Sequence, residues 1–206
     1  MRSLVNDLIK KGYLKSDAII DAFSEIGRIE FVRPEFEREA EADIPLPIGF
    51  GQTISQPLTV AFMLELLNPE SGQNILDIGS GSGWTTSLLS HIVSPKGKVT
   101  ALEMIPELCQ WGKENAEKFK FVSNGIAEFH CENGGKGFLQ DAPFDRILVS
   151  AMVSGVSQEL KDQLKVGGKM VIPVHNDIWY LEKKSENDFY KEEFPGFSFV
   201  PLVQKL

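Results

Sequence analysis

Hydrophobic and polar residues change their spacing at about residue 73 of this chain. Before that point apolar side chains recur every three or four residues, which predicts helices in the first 35 residues and over Pro57–Leu67. Ser16 is placed to cap the second N-terminal helix. After residue 73, short apolar runs alternate with helical stretches. We predict helices at 84–92, 106–119 and 157–164, and strands at 74–78, 98–103, 127–132, 146–150, 169–173, 178–183 and 197–203.

This alternation is typical of a mostly parallel sheet with helices on both faces. No helix is predicted between the last strands, so we expect these strands to pair antiparallel. The fold class is therefore predicted to be α/β. We expect a Rossmann-like, seven-stranded, mostly parallel sheet with an antiparallel C-terminal strand and additional N-terminal helices.

Composition limits the classes of function. Apolar residues make up 42% of the chain, and 29 acidic against 21 basic residues give a net charge of −8. That charge disfavours binding to nucleic acid phosphates or to an anionic membrane surface. The chain also lacks the run of about 18 apolar residues that predicts a membrane span. We therefore expect neither nucleic acid nor membrane as a partner.

Cysteine and histidine are sparse. The two cysteines, Cys109 and Cys131, are far apart in sequence, which is typical of a reducing compartment and predicts a cytoplasmic protein. His91 and His130 have no ligand partners at useful spacing, so we predict no metal site.

An apolar loop precedes the alternating part of the chain. Residues 44–57 contain prolines and glycines that are incompatible with a regular helix or a central strand. Solvated linkers are polar, whereas this one is rich in Ile, Leu and Phe. We therefore expect it to pack against the domain and to line a site.

The strongest motif is a glycine-rich loop between the predicted strand 74–78 and helix 84–92. It reads Asp77-Ile-Gly-Ser-Gly-Ser-Gly83, and glycines let a backbone turn sharply and approach a ligand closely. Glu103 ends the next strand, where a carboxylate can accept hydrogen bonds from two ribose hydroxyls. Open α/β sheets bind ligands at this edge. The layout resembles that of the S-adenosylmethionine-dependent methyltransferases.

Two other interpretations of the glycine loop stay open. One is a turn without function, and the other is a dinucleotide-dependent oxidoreductase. The spacing is G-x-G-x-G, whereas dinucleotide-binding proteins have G-x-G-x-x-G. The chain also offers no obvious second catalytic domain, which further disfavours the oxidoreductase.

The apolar loop makes the resemblance more specific. Its segment Pro47-Ile-Gly-Phe-Gly-Gln-Thr-Ile-Ser-Gln-Pro57 closely resembles the signature of the protein-L-isoaspartate O-methyltransferase family. Other stretches resemble the same family in the same order over nearly the whole chain. They are Arg28 with Phe31-Val32, 76–83, 143–147, 163–168 and 199–202.

The resemblance implies an activity and its partners. Members transfer a methyl group from S-adenosyl-L-methionine to the α-carboxylate of L-isoaspartyl residues in damaged proteins, with S-adenosyl-L-homocysteine as product. The ester closes to a succinimide that opens partly to normal aspartate, which initiates repair. A carboxylate is already an anion at pH 7, so the reaction needs alignment and desolvation rather than a strong base. The implied partners are isoaspartyl peptides and proteins, and we expect a monomer.

The resemblance also implies roles for individual residues. Ser55 corresponds to the family's active serine, although its position just before Pro57 also suits a helix cap. Met104 is expected either to pack on the adenine or to belong to the core. The implied cofactor-binding residues are Thr53, Ile54, Asp77, Gly79, Ser80, Gly81, Ser82, Gly83, Glu103, Met104, Asn133 and Gly134. The implied substrate-binding residues are Asp43, Ile48, Ser150 and Leu202.

A single methyltransferase domain is expected over residues 1–206. Residues 1–56 would supply N-terminal helices and the active-site loop, and 57–206 the cofactor-binding core. Three positions depart from the family pattern. Asn133 stands where aspartate is usual, His175 where glycine is common, and Val203 where a hydroxyl residue is often found. An asparagine still accepts hydrogen bonds through its carbonyl oxygen.

Two alternatives keep the fold and change the function. The first is a methyltransferase of another substrate, such as a small molecule or an RNA base. Base N-methyltransferases normally carry a polar-Pro-Pro-aromatic motif after the fourth strand, where this chain has Ser150-Ala-Met-Val153. The second is a protein that binds S-adenosylmethionine without catalysis.

Overall fold

The computed structural model describes residues 2–202, and Val203 lies outside them. The described residues form six α-helices, which are α1 Arg2–Lys10, α2 Asp17–Glu25, α3 Pro57–Leu67, α4 Trp84–Val93, α5 Pro106–Glu117 and α6 Gln158–Asp162. The same part of the chain forms nine strands, which are β1 Leu46–Gly49, β2 Gln52–Ile54, β3 Asn74–Ile78, β4 Lys98–Leu102, β5 Ala127–His130, β6 Phe144–Val149, β7 Leu164–Val174, β8 Asp177–Ser185 and β9 Asp188–Pro195. Short 3₁₀ turns cover Arg28–Phe31, Pro34–Glu39 and Gly134–Lys136.

Seven of the strands form one sheet in the order β5-β4-β3-β6-β7-β8-β9. The pairs from β5 to β7 are parallel, and β8 and β9 pair antiparallel. The predicted α/β class, with its mostly parallel sheet and antiparallel C-terminal strands, is confirmed. Antiparallel pairing follows because the short connections after β7 and β8 leave no room for a crossover helix.

Alternate residues of the central strand β3 face two hydrophobic cores. Ile75 packs into a large core with apolar residues of α1 to α5. Leu76 and Ile78 belong to a second core on the other face, which includes Leu160 of α6. Because successive side chains of a strand point to opposite faces, one buried strand supplies both cores.

The last strand lies elsewhere than predicted. We expected it at 197–203, but the seventh strand of the sheet is β9 at Asp188–Pro195. Phe197 and Phe199 do alternate, and both pack against the larger core. However, the segment that holds them pairs with no strand of the sheet and makes only an isolated bridge between Met152 and Pro201. The alternation of apolar and polar residues at 197–203 therefore indicated which side chains pack inward, and not that the segment pairs as a strand.

The strand that follows α6 is longer than predicted. β7 begins at Leu164, whereas we predicted a start at residue 169. Its register against β6 shifts between Phe144 and Arg146, and Gly167 in this stretch has φ +81°. A glycine in the left-handed region allows such an irregularity without breaking the strand.

Ser16 occupies the N-cap position of α2, but its side chain makes no capping hydrogen bond. Its hydroxyl donates to Glu65 Oε2 at 2.7 Å, and its backbone N–H donates to Oε1 at 2.9 Å. The predicted side-chain cap was wrong, because the hydroxyl is turned to donate to Glu65 of α3 and accepts no N–H group of α2. A charged acceptor makes the stronger hydrogen bond.

The apolar loop at 44–57 folds into a small hairpin apart from the main sheet. β1 and β2 pair antiparallel, and Phe50 and Gly51 form the turn with φ +54° and +72°. Ile48 and Ile54 are buried, so the hairpin packs against the domain as expected. Its prolines exclude it from a central position in the sheet.

One close approach requires a glycine at the start of α4. Gly83 has φ +87°, and a Cβ there would lie 2.7 Å from the carbonyl oxygen of Gly112. Only a residue without a side chain lets α4 begin this close to α5. His175, where the family commonly has glycine, also has a positive φ of +55°.

Candidate active site

The candidate site lies where the strand order of the sheet reverses, between β3 and β6. Gly79 and Ser80 leave β3 with their N–H groups donating to the Leu102 carbonyl at 2.8 and 3.1 Å. Ser150 leaves β6 with its N–H donating to the Ile78 carbonyl at 2.8 Å. The segments that follow β3 and β6 diverge here, and open α/β sheets bind ligands at such a point.

An inner cleft opens at this edge. It is lined by the glycine loop, the end of β4, the hairpin and the C-terminal segment. The sequence-predicted residues that line it are Ile48, Thr53, Gly79, Gly81, Glu103, Met104, Gly134, Ser150 and Leu202. These residues come from six separate stretches of the chain, and the fold brings them together.

A recess beneath the hairpin adjoins the inner cleft. Both share Ile48, Thr53, Gly79, Gly81 and Ser150 in their walls. The recess adds four other predicted residues, Ile54, Ser55, Ser80 and Ser82. The Ser80 hydroxyl is buried here without a hydrogen-bond partner among residues 2–202. It is free to bond a ligand placed against the glycine loop.

An outer groove meets the same site from the other side. Thr53 and Ser150 line both the inner cleft and the groove, and Ser55 lines the groove and the recess. The rest of the groove mixes polar residues with several apolar ones. Its walls include Tyr13, Pro45, Leu58, Pro195, Phe197 and Phe199.

The C-terminal segment forms the wall between the inner cleft and the outer groove. The Met152 N–H donates to the Val200 carbonyl, and the Leu202 N–H donates to the Met152 carbonyl, both at 2.8 Å. Val200 and Pro201 line both cavities. These two hydrogen bonds hold the segment across the mouth of the site.

Glu103 is held by backbone amides at the end of β4. Its Oε2 accepts from the Gly81 N–H at 2.9 Å and its Oε1 from the Ile105 N–H at 3.0 Å. Burial raises the pKa of Glu103, and these amide hydrogen bonds oppose that rise. Each carboxylate oxygen still has a lone pair for a ligand. Glu103 therefore both fixes the glycine loop and presents an acceptor to the cleft.

Asp77 lies beneath the cleft and lines none of the cavities named above. It is fully buried, and its Oδ2 accepts from the hydroxyls of Thr85 at 2.8 Å and Thr86 at 2.6 Å. Its Oδ1 has no partner among the described residues. Burial raises the pKa of Asp77 to about 6, against the two hydroxyls that lower it. The charged form is therefore unfavourable in the folded protein.

We expect Asp77→Asn to flatten part of the dependence of stability on pH. The pKa of Asp77 is about 6 in the folded protein and 3.8 in the unfolded chain. Protonated Asp77 therefore stabilises the folded state fully below pH 3.8, and this stabilisation is lost as pH rises through 6. The loss amounts to about 3 kcal/mol for this shift. The amide of the variant does not titrate. The unfolding free energy of the variant minus that of the wild type should therefore rise by roughly that amount between pH 4 and 7.5.

Urea unfolding of both proteins across this range measures the difference. Any fixed cost of burying an amide is the same at each pH and cancels from the change. Parallel curves would contradict the raised pKa. Glu107→Gln, which changes an exposed acid in the first turn of α5, serves as the control.

The capping alternative for Ser55 was wrong. Gln56 holds the N-cap position of α3 without a side-chain capping bond. The cap is supplied by Asp43, whose Oδ1 accepts from the Leu58 N–H at 2.8 Å. The Ser55 hydroxyl has no hydrogen-bond partner within residues 2–202 and lines the recess and the groove.

Three other predicted residues lie outside the inner cleft, the recess and the outer groove. Asp43 caps α3 and pairs with Lys11 at 3.7 Å. Gly83 serves the packing of α4 against α5. The Asn133 Oδ1 accepts from the Gly135 N–H at 2.8 Å, which holds the turn that places Gly134 in the cleft.

Sequence reasoning missed part of the lining. In the inner cleft these residues are Gln52, Ile78, Leu102, Glu132, Ala151, Val200 and Pro201. Most are immediate neighbours of predicted residues, and this adjacency was the available signal. The aromatic walls of the outer groove, Phe197 and Phe199, were assigned to a strand, because alternation alone does not show what a side chain faces.

The fold groups possible metal ligands that are not adjacent in sequence. Ligand atoms of Glu128, His130 and Asp141 lie within 4.8 Å of one another. The Lys98 ammonium lies 2.7 Å from Glu128 Oε2 and 2.8 Å from Asp141 Oδ2. A cation of the protein itself therefore already pairs with both carboxylates.

The described helices are short. The longest, α5, has 12 residues, and none within residues 2–202 combines the length and apolar character needed to cross a bilayer.

Known proteins resemble this chain over its whole length. The family model of protein-L-isoaspartate(D-aspartate) O-methyltransferase (PCMT) matches residues 1–206. A protein-L-isoaspartate O-methyltransferase of Methanopyrus kandleri is 39% identical over 204 residues, which cover 97% of this chain and 89% of the relative. One of Thermococcus onnurineus is 40% identical over 204 residues, which cover 97% and 91%.

Solved structures share the fold. A Plasmodium falciparum chain, described as a putative protein-L-isoaspartate O-methyltransferase in complex with S-adenosyl-L-homocysteine, superposes with a TM-score of 0.88. The match covers 98% of both chains at 24% sequence identity, which shows a common architecture.

Proposed function

The chain belongs to the protein-L-isoaspartate(D-aspartate) O-methyltransferase family, and from that premise we propose how its own residues perform the reaction. The enzyme transfers a methyl group from S-adenosyl-L-methionine to the α-carboxylate of L-isoaspartyl residues in proteins, which initiates their repair. One observation carries this proposal above the others. An inner cleft and recess suited to the cofactor meet a groove suited to a peptide at Thr53, Ser55 and Ser150.

The residues that line the inner cleft and recess suit S-adenosyl-L-methionine. A Cβ on Gly81 would lie 3.1 Å from the Ile48 side chain, so the glycine loop keeps space that a larger residue would fill. The buried Ser80 hydroxyl lacks a partner among the described residues, and Glu103 presents its carboxylate. We assign the ribose hydroxyls to Glu103, the adenine to the wall at Met104 and Gly134, and the methionine part to the glycine loop.

Other residues support the site by positioning the groups that line it. Asp77 holds the first turn of α4 through Thr85 and Thr86, and so holds the glycine loop that precedes it. Asn133 positions Gly134. Ile54 and Ser82, which are both uncharged, line the recess.

Chemistry at the site demands placement more than proton transfer. When bound, S-adenosyl-L-methionine supplies a methyl group on a sulfonium, which is a good leaving group. The substrate carboxylate is an anion at neutral pH, so no base is needed. Ser55 donates a hydrogen bond to one carboxylate oxygen and so fixes the direction of the other. Thr53, Ser150 and the C-terminal segment exclude water around the reacting groups.

The outer groove is proposed to bind the peptide. Its aromatic and proline walls favour apolar side chains beside the isoaspartyl residue, because such contacts bury apolar area. Ile48 and Leu202 close the inner end of the site. Asp43 is assigned no contact with substrate, since it caps α3.

We propose further that the protein acts as a cytoplasmic monomer and that residues 1–206 are one domain. One chain supplies the walls of the cleft and of the groove. The larger hydrophobic core runs continuously from Leu4 to Ile178, and so joins the N-terminal helices to the sheet. Sedimentation velocity at micromolar protein concentration checks the monomer, which a concentration-dependent dimer would exclude.

The decisive experiment compares two peptides that differ at one residue. One carries L-isoaspartate and the other L-aspartate, both flanked by valine, and each is incubated with methyl-labelled S-adenosyl-L-methionine. We expect base-labile label on the isoaspartyl peptide alone. Label on neither peptide, with S-adenosyl-L-homocysteine binding confirmed by calorimetry, would point to another substrate or to a protein without catalysis. Loss of binding as well would remove the cofactor assignment.

A further inference from the structure

We propose that Arg28 is the positioning residue of the active serine. Its guanidinium fixes the backbone at Ser55 and closes the base of the hairpin that carries Thr53. The inference rests on the proposed function for the role of Ser55, but its geometry stands independently.

Arg28 lies in the first 3₁₀ turn and is 4% exposed. Its Nη1 donates to two backbone carbonyls at 3.2 Å each, and its Nη2 donates to three others at 2.8, 3.0 and 3.4 Å. The five accepting carbonyls belong to Ala40, Ala42, Ile44, Ser55 and Ile54. One planar group thus binds two segments of chain.

These two segments flank the hairpin. Residues 40–44 lead into β1, and Ile54 with Ser55 ends β2 and leads to α3. Arg28 therefore ties both ends of the hairpin to the same point. The Ser55 carbonyl lies 3.0 Å from Nη2, so the backbone from which its hydroxyl projects is fixed directly. A serine side chain has a single bond to rotate, and fixing its backbone limits where the hydroxyl can reach.

A positive charge is buried here without a carboxylate in hydrogen-bond contact among residues 2–202. Burial lowers the pKa of Arg28 to about 10, and attraction from Asp43 opposes the decrease. The group stays charged at neutral pH, and five carbonyl dipoles solvate it in place of water. Burying such a group is costly, and the Arg28 Nε–H has no hydrogen-bond partner among residues 2–202, so hydrogen bonding alone does not explain its place.

Arg28 also lies against the start of α4. Its Cζ is 5.4 Å from the ring centre of Trp84, the residue that follows the glycine loop. The Trp84 Nε1 donates to the Ile26 carbonyl at 3.3 Å, two residues before Arg28. Arg28, which fixes the backbone of Ser55, therefore also packs against the helix that follows the glycine loop.

Lysine cannot replace this contact set. A guanidinium offers five N–H groups in a rigid plane, whereas an ammonium offers three at one point. Arg28→Lys keeps the charge but cannot reach both segments at once. We expect kcat on the isoaspartyl peptide to fall about tenfold to a hundredfold, since small displacements of an aligning group have effects of this order. The dissociation constant for S-adenosyl-L-homocysteine should change by less than about threefold.

A second buried arginine provides the matched control. Arg146 is 6% exposed and donates to backbone carbonyls of Asn68 and Asp145 at 3.1 and 2.9 Å. It lies at the start of β6, at the opposite edge of the sheet from the cleft. Arg146→Lys should lower the urea midpoint in a similar way but leave kcat within about twofold. A merely structural role for Arg28 predicts equal behaviour of the two variants.

Hydrogen exchange provides a readout that does not need activity. Amides of residues 45–56 should exchange faster in Arg28→Lys than in wild type, and at the wild-type rate in Arg146→Lys. Circular dichroism should show that both variants are fully folded. If wild type fails to methylate the peptide, the proposed function fails while this measurement still tests the anchor. Should Arg28→Lys not fold, Arg28→Gln removes the buried charge and keeps two N–H donors.

Any of four results in folded protein overturns the proposal. The first three are kcat of Arg28→Lys within twofold of wild type, an equal loss of kcat in Arg146→Lys, and unchanged exchange over residues 45–56. A parallel loss of cofactor affinity would also overturn it, since the effect would then run through Trp84 and the glycine loop.

Discussion

Ser55→Ala is expected to lower kcat by about tenfold to a hundredfold, while the affinity for S-adenosyl-L-homocysteine stays within about twofold of wild type. The hydroxyl has no partner among the described residues, and it faces the place where the recess and the groove meet. A hydrogen bond to a charged group contributes about 1.5–3 kcal/mol, which sets the size of the effect. Steady-state kinetics on the isoaspartyl peptide and calorimetry with S-adenosyl-L-homocysteine measure the two quantities.

Ser198→Ala is the matched control for this prediction. Ser198 is exposed and lines the same outer groove, but it borders neither the recess nor the inner cleft. Its loss should leave kcat within about twofold. Because Asp43 supplies the cap of α3, Ser55→Ala should also leave the urea midpoint unchanged. Wild-type kcat in Ser55→Ala would remove the serine from the reaction.

Glu103→Ala is expected to weaken binding of S-adenosyl-L-homocysteine about a hundredfold. The change removes the proposed acceptor of the ribose hydroxyls. It also leaves the Gly81 and Ile105 amides without their carboxylate partner, so the glycine loop loses support. A loss of about 3 kcal/mol is the size expected for charged hydrogen bonds of this kind. At saturating S-adenosyl-L-methionine kcat should recover to within a few-fold, because the residue does not touch the reacting atoms.

Two further variants separate binding from loop support. Glu103→Gln keeps the size of the side chain and one acceptor oxygen, so its effect should be intermediate. Glu107→Gln changes an exposed acid in the first turn of α5 and should alter affinity by less than twofold. A dissociation constant for Glu103→Ala within threefold of wild type would contradict the ribose assignment.

Local patterns in the chain predicted most of the central sheet and the glycine loop. A buried strand, three glycines and a helix follow one another directly, so their meeting at one edge needs no long-range information. Glu103 could be named for the same reason, because parallel strands end at a common edge. The Pro- and Gly-rich segment 44–57 was recognisable as an unusual apolar element that packs down, although not as a hairpin.

Other features depend on contacts that leave no periodic signal. Ser16 and Glu65 are 49 residues apart, and only packing of α2 beside α3 makes the glutamate its acceptor. The last strand was misplaced because charged residues of β9 lie on an exposed edge, whereas the apolar Phe197 and Phe199 line a groove. Burial and pairing are separate properties, and at this end of the chain the hydrophobic pattern followed burial.

By itself the sequence determined the α/β class, the resemblance to isoaspartyl methyltransferases and the residues of the glycine loop, because these depend on short-range order along the chain. Only the tertiary structure decided which groups hold that site in shape. The cap of α3 comes from Asp43, 15 residues from the donor amide of Leu58, and the anchor of Ser55 comes from Arg28, 27 residues away. A carbonyl or an amide has no side-chain identity in a sequence, so its partner becomes visible only when the chain is folded.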